Sequence, residues 1–139
     1  MEAVAKLRNC PMSARKMRLV VDLVRGKKAA DALDILRYSK QEASVWLEKL
    51  LLSAINNWEQ KAGGTESADD YDLVVKTIFS DEAGMLKRFR PAPHGRAHRI
   101  RKRSNHVTVI VENTIPLPSE EIIEDDDFAE VEEVSATEE

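Results

Sequence analysis

The sequence predicts an α+β domain: a small antiparallel sheet with helices on one face and a long basic β-hairpin projecting from it. Three observations carry that prediction. Apolar patterning runs in the order strand, three helices, two strands. The last two strands, residues 71–80 (YDLVVKTIFS) and 106–111 (HVTVIV), are rich in β-branched residues, and the second alternates with strand period. Between them lies residues 84–103, GMLKRFRPAPHGRAHRIRKR, which holds eight Lys or Arg and no acid. Its charges repel one another, and only Met85, Leu86, Phe89 and Ile100 are large apolar groups, so it cannot fold on itself. It requires a polyanion.

Residues 2–9 (EAVAKLRN) alternate weakly, with Ala3, Ala5 and Leu7 against Val4, Lys6 and Arg8, and read as a short strand with a basic side. Pro11 breaks the pattern and Ser13 is a good N-cap for a helix over residues 14–25. In that helix Met17, Val20, Val21 and Val24 form an apolar stripe, with Arg15, Lys16, Arg18 and Arg25 mainly off it. Gly26 is the expected C-cap, and Lys27 and Lys28 extend the basic surface into a tight corner. A second, short helix covers residues 29–37, with Ala29, Leu33 and Leu36 on one face. The third, residues 40–61, has the most regular amphipathic face, through Ala43, Leu47, Leu50, Leu51, Ala54, Ile55 and Trp58, and is expected to be the core helix. Residues 62–70 (AGGTESADD) read as the turn that leads into the next strand.

The hairpin is expected to span about residues 80–106. Arms of about 12 residues at roughly 3.3 Å each give a finger on the order of 40 Å long. Pro91, Pro93 and Gly95 mark its reversal. Proline there also blocks ladder hydrogen bonds and so discourages edge-to-edge aggregation.

The formal net charge of -4 describes no real part of the 139-residue chain. Residues 1–111 carry 21 basic and 13 acidic groups, a net of +8, whereas residues 112–139 carry 12 acids and no base. Composition therefore divides the chain into a basic domain over residues 1–112 and an acidic tail over 113–139. Two blocks that each net +6, residues 1–28 and 81–111, flank a helical middle with 5 basic and 9 acidic groups. That distribution points to a nucleic-acid binder. Cys10, the single cysteine, rules out an intrachain disulfide and suits a reducing compartment. No run approaches the roughly 18 apolar residues a membrane span needs, and the N-terminus lacks a signal-peptide core, so a soluble cytoplasmic protein with no membrane partner is expected.

Catalytic and metal patterns are weak. Ser13 to Lys16 matches S-x-x-K, but no S-D-N or K-T-G follows, and Ser13 as a helix cap with Lys16 facing RNA is the better reading. His94 and His98 have the spacing of a helical metal pair, yet they sit among prolines, glycine and cations that oppose both a helix and a divalent ion. His106 reads as a positioning hydrogen bonder at a strand start. Phe89, between Arg88 and Arg90, either stacks on a base or packs on the ribbon. Trp46 and Trp58 read as core. No cofactor, metal or enzymatic activity is expected. The expected RNA contacts are Lys6, Arg8, Ser13, Arg15, Lys16, Arg18, Arg25, Lys27 and Lys28 on the body, and Arg96, Arg99, Arg101, Lys102, Arg103 and His106 on the returning arm.

The corner LVRGKK at residues 23–28, LLSAINNWE in the third helix and GRAHRIRKRSNHVTVIV resemble the bacterial form of the universal large-subunit ribosomal protein numbered twenty-two. The resemblance covers about residues 2–112, with corner, core helix and finger in the family's order. It implies three helices packed on a small three-stranded antiparallel sheet with a long hairpin. It further implies binding of the large ribosomal RNA, help in subunit assembly, neighbouring ribosomal proteins as partners, and a hairpin along the wall of the polypeptide exit tunnel. Leu86, Lys87, Arg88, Phe89, Arg90 and His94 would then face the lumen and the nascent polypeptide, near the macrolide site, while Arg96, Arg99, Arg101, Lys102 and Arg103 bind the RNA lining. A non-ribosomal RNA chaperone would use the same basic finger. The acidic tail departs from the family, and two readings of it stand: a solvated extension, or a dock for a basic protein neighbour through Ile122, Ile123, Phe128, Val131 and Val134.

Overall fold

A computed structural model describes residues 1–63, 68 and 70–115. The elements are β1 (Glu2–Cys10), α1 (Ala14–Val24), α2 (Ala29–Tyr38), α3 (Glu42–Lys61), β2 (Leu73–Glu82), β3 (Leu86–Pro91), β4 (Ala97–Lys102) and β5 (Asn105–Asn113), with a 3-10 turn at Pro93–Gly95 between β3 and β4. Most of the turn expected at residues 62–70 lies outside the described residues. So does the acidic tail from residue 116 onward.

β5 is the central strand of an antiparallel sheet in the order β1-β5-β2. Its Val107, Val109 and Val111 are buried, while His106, Thr108, Ile110 and Glu112 are only half-buried, so the helices cover one face and leave the other open. Ala3 and Ala5 keep β1 thin where α3 packs on it. Met17, Val20, Val21 and Val24 of α1 meet Leu47, Ala54 and Trp58 of α3 in one core. Trp58 is fully buried, and its ring centroid lies 5.5 Å from that of Tyr71. Trp46 packs half-buried against the same core.

Each outer strand of this sheet has an edge that needs hydrogen-bond partners. α1 runs beside β2 and supplies them there: Arg18 Nε donates to the Ser80 carbonyl at 3.0 Å and an Arg25 guanidinium nitrogen to the Ile78 carbonyl at 3.3 Å. The corner after α1 continues the cover, with Gly26 N–H donating to the Val75 carbonyl and Val75 N–H to the Lys27 carbonyl. α3 does the same for β1, where Asn57 Nδ2 donates to the Val4 carbonyl at 3.1 Å and Lys61 Nζ to the Glu2 carbonyl at 3.0 Å. Polar side chains on the helices thus finish what the three strands leave open.

Several boundaries differ from the sequence reading. Ser13 occupies the N-cap position of α1 but makes no side-chain capping bond; its carbonyl instead accepts from Lys16 and Met17 N–H. α1 ends one residue early, with Arg25 extended, because Gly26 turns the chain at φ +71, a left-handed conformation glycine adopts without strain. α3 begins at Glu42 rather than at residue 40.

The hairpin is offset by one residue. Between the pairs Glu82↔Asn105 and Leu86↔Lys102, the three residues Ala83, Gly84 and Met85 oppose only Arg103 and Ser104. Ala83 N–H still donates to the Ser104 carbonyl at 3.0 Å, and the Ser104 hydroxyl donates to the Gly84 carbonyl. The offset acts as a bulge that bends and twists the finger where it leaves the body. Beyond it, β3 and β4 form a two-stranded ribbon of six pairs, about 20 Å long at 3.3 Å per residue.

Candidate nucleic-acid interface

Every residue of β3 and β4 is exposed, so no side chain of the ribbon is buried. Its register sorts the side chains onto two faces. Lys87↔Arg101, Phe89↔Arg99 and Pro91↔Ala97 share one; Leu86↔Lys102, Arg88↔Ile100 and Arg90↔His98 share the other. Cross-strand neighbours of like charge, as at Lys87 and Arg101, repel. Among the described residues none of Lys87, Arg88, Arg90, Arg96, Arg99, Arg101, Lys102 and Arg103 forms an ion pair. Phe89 is 79% exposed, with the Arg99 position directly across from it.

The reversal forms as the prolines and glycine predict. Ala92 N–H donates to the Arg96 carbonyl at 2.8 Å, and His94 and Gly95 both take left-handed backbone, at φ +61 and +70. His94 therefore stands on a turn, apart from His98 on β4, where it faces Arg90. No group of three or more His, Cys, Asp or Glu suited to a metal occurs among the described residues.

On the body the expected contacts divide. Arg15 and Lys16 are exposed on the first turns of α1, at the end nearest the finger. Arg18 and Arg25 are also exposed, but their guanidinium groups are held by the β2 edge, and Arg25 pairs with Asp22 at 2.8 Å as well. Lys28 is held by Asp72 at 2.7 Å, whose hydrogen bond and charge raise its pKa. Lys27 is exposed at the same corner, and Lys6 and Arg8 project from β1 away from the helices. The His106 ring is tied into the sheet: its Nδ1 accepts from Asn9 N–H at 3.0 Å. That bond closes a bulge between Leu7↔Val107 and Cys10↔Asn105, where Asn9 takes φ +55.

Arg101, Lys102 and Arg103 meet Ser13 and Lys16 around a groove of about 860 Å³ at the finger's base. Ser13, whose side chain makes no capping bond, lines this groove, as do Met12, Met85 and Leu86. Asn105, which composition does not single out, organises it from behind. The fully buried amide Nδ2 donates to the Met12 carbonyl at 3.0 Å and so fastens the β1–α1 connection to the start of β5. Its place in phase with the inward-facing Val107, Val109 and Val111 of β5 was the available signal. Cys10, by contrast, is a core group; burial and, secondarily, the charge of Glu42 push its thiol pKa up.

Residues 5–112 match the family described as ribosomal protein L22p/L17e. A protein of Flavobacterium johnsoniae described as large ribosomal subunit protein uL22 is 65% identical over 109 residues, covering 78% of this chain and 79% of that protein. Proteins of the same description from Christiangramia forsetii and Porphyromonas gingivalis are 61% and 55% identical, covering 78% of this chain and 80% and 79% of theirs. The match spans the helix corner, the core helix, the finger and the sheet alike, and the chain belongs to the ribosomal protein L22p/L17e family.

Proposed function

We propose that the protein is a structural, non-enzymatic constituent of the large ribosomal subunit, at work in the cytoplasm, which binds the large ribosomal RNA and helps the subunit assemble. Its finger lines the polypeptide exit tunnel. The observation that carries this reading is the finger itself: eight Lys and Arg side chains on and beside a ribbon with no buried residue and, among the described residues, no carboxylate partner. Such a ribbon gains its counter-charge from phosphates, and it joins RNA segments that would otherwise repel one another. Arginine forks suit phosphate oxygens, and RNA helices are read mainly through shape and backbone.

The RNA-binding body comprises residues 1–112 with the finger at about 80–106, and residues 113–139 are an acidic appendage. Arg96, Arg99, Arg101, Lys102 and Arg103 hold the RNA of the tunnel wall, joined by Lys6, Arg8, Ser13, Arg15, Lys16, Lys27 and the outward side of His106. Arg18, Arg25 and Lys28 present charge to RNA from positions already braced by the protein. Lys87, Arg88, Phe89, Arg90 and His94 face the lumen and the passing nascent polypeptide, whereas Leu86, expected with them, opens the ribbon at its base and lines the groove there. Neighbouring ribosomal proteins complete the surroundings.

RNA crosslinking with residue-level mapping in growing cells tests this. Crosslinks from residues 87–103 to tunnel-wall segments of the large ribosomal RNA are expected. Crosslinks scattered over many cellular RNAs, with few on the large subunit, would overturn the reading and favour an RNA chaperone. Deleting residues 86–88 is expected to reshape the tunnel and leave incorporation largely intact; abolished incorporation would count against a tip in the lumen.

A further inference from the structure

The groove at the finger's base is more than a phosphate site. Lys16, Arg101, Lys102 and Arg103 bring four cations to its walls, and Met12, Met85 and Leu86 bring apolar surface, with Glu42 its one carboxylate among the described residues. A phosphate backbone uses the cations but offers nothing to the methionines. The complementary occupant is a peptide in which acids alternate with large apolar residues. This chain contains one: residues 120–131, EEIIEDDDFAEV, carry seven acids and no base around Ile122, Ile123, Phe128 and Val131.

Chain length permits the contact. The described chain leaves the sheet after β5, at Ile115, at the end opposite the groove. The separation is about the length of β5, roughly 30 Å for nine residues at strand rise. Phe128 follows Ile115 by 13 residues, a reach of up to about 45 Å. Intramolecular tethering also gives such a segment an effective concentration near the millimolar range, well above that of a free competitor.

We infer that residues 120–131 dock into the groove lined by Lys16, Arg101, Lys102 and Arg103 and occupy it until RNA displaces them. Resting on the RNA-binding role proposed above, the inference adds regulation to that site. The acidic segment shields the base of an otherwise uncompensated basic finger in the free protein. It raises the threshold for non-specific RNA, because only RNA that neutralises the whole finger at once outcompetes it.

The test uses the full-length chain at low concentration, treated with a water-soluble carbodiimide, which joins a carboxylate to an amine in contact as an amide with loss of water. Intramolecular links from Lys16 and Lys102 to acids within residues 120–131 are expected. Two variants accompany it: Phe128→Ser, which keeps every charge, and the combined Glu124→Gln, Asp125→Asn, Asp126→Asn, Asp127→Asn. Both are expected to reduce those links several-fold, and the combined variant to bind a transcript of the large ribosomal RNA about tenfold more tightly near 0.1 M salt, with the gain fading as salt rises. Links distributed evenly over Lys61, Lys76 and Lys16, or a yield unchanged by Phe128→Ser, would overturn docking and leave only long-range charge. Equal RNA affinity of native chain and combined variant would defeat this inference alone, whereas no RNA binding by either would defeat it together with the RNA-binding role.

Discussion

Arg18 and Ser80 are 62 residues apart in sequence, yet the Arg18 guanidinium donates to the Ser80 main-chain carbonyl at 3.0 Å. An arginine on the exposed side of a basic helix thereby becomes a fastener between α1 and the β2 edge. Its neighbour Arg15, one turn earlier, has no such bond among the described residues.

The two arginines are therefore expected to separate in experiment. Arg18→Ala should lower unfolding stability by about 1 kcal/mol, the net worth of one hydrogen bond, read as a shifted urea midpoint at constant slope. Arg15→Ala should leave that midpoint unchanged and weaken RNA binding. An Arg18→Ala midpoint equal to the native one would show that the bond contributes nothing to the fold.

Trp58 supplies a second contrast. It is fully buried, and its indole Nε1 has no hydrogen-bond partner among the described residues. Trp58→Phe keeps most of the ring and removes a donor that burial leaves unsatisfied, so it should cost less than about 1.5 kcal/mol. Trp58→Ala opens a cavity beneath Tyr71 and should cost about 3–5 kcal/mol. Chemical denaturation of the two variants checks the ordering.

Lys76, the extra residue of a bulge in β2, places its amine between the carboxylates of Glu2 and Glu112. The hydrogen bonds that its amine donates to Glu112 and Glu2 raise its pKa, and the one that Glu2 accepts from Lys76 lowers that of Glu2. The signs give two windows. Glu2 contributes stability above its ordinary value of 4.5, lost as pH falls through its lower folded-state value. Lys76 contributes below its ordinary 10.5, and that contribution is lost only as pH rises through its higher folded-state value. Lys76→Met should lower the melting temperature slightly across the neutral range and flatten its fall on both the acid and the alkaline side. The change should be small, because all three groups are solvated. A melting curve against pH that is identical for the variant would sink this account.

Arg99 and Arg101 lie on the ribbon, outside the core. Replacing both with Gln should leave thermal unfolding unchanged and make the dependence of log affinity on log salt for ribosomal RNA shallower by about 1–2 units, one per lost phosphate contact. A shifted melting temperature with an unchanged salt slope would assign them to the fold instead.

What can be read directly from the sequence is local in origin. The valine alternation of β5, the apolar stripes of α1 and α3, the Pro91, Pro93 and Gly95 reversal, and the acid-free run of the finger depend on residues near one another in the chain. Period, turn chemistry and charge repulsion therefore identify them. The expected capping bond at Ser13 does not form, because a hydroxyl has several possible partners and residue type alone does not choose among them.

Only the tertiary structure decided which cations are fasteners and which have no protein partner among the described residues. Arg15 and Arg18 are alike in composition and helical phase, and nothing in the chain separates them until β2, some 60 residues later, brings the Ser80 carbonyl to one of them. The same holds for Asn105, whose partner at Met12 lies 93 residues away, and for the groove where Lys16 meets Arg101, Lys102 and Arg103. A sheet edge must find donors and acceptors wherever the packing supplies them. That requirement acts across the fold, so no local pattern in the sequence can announce which side chain will meet it.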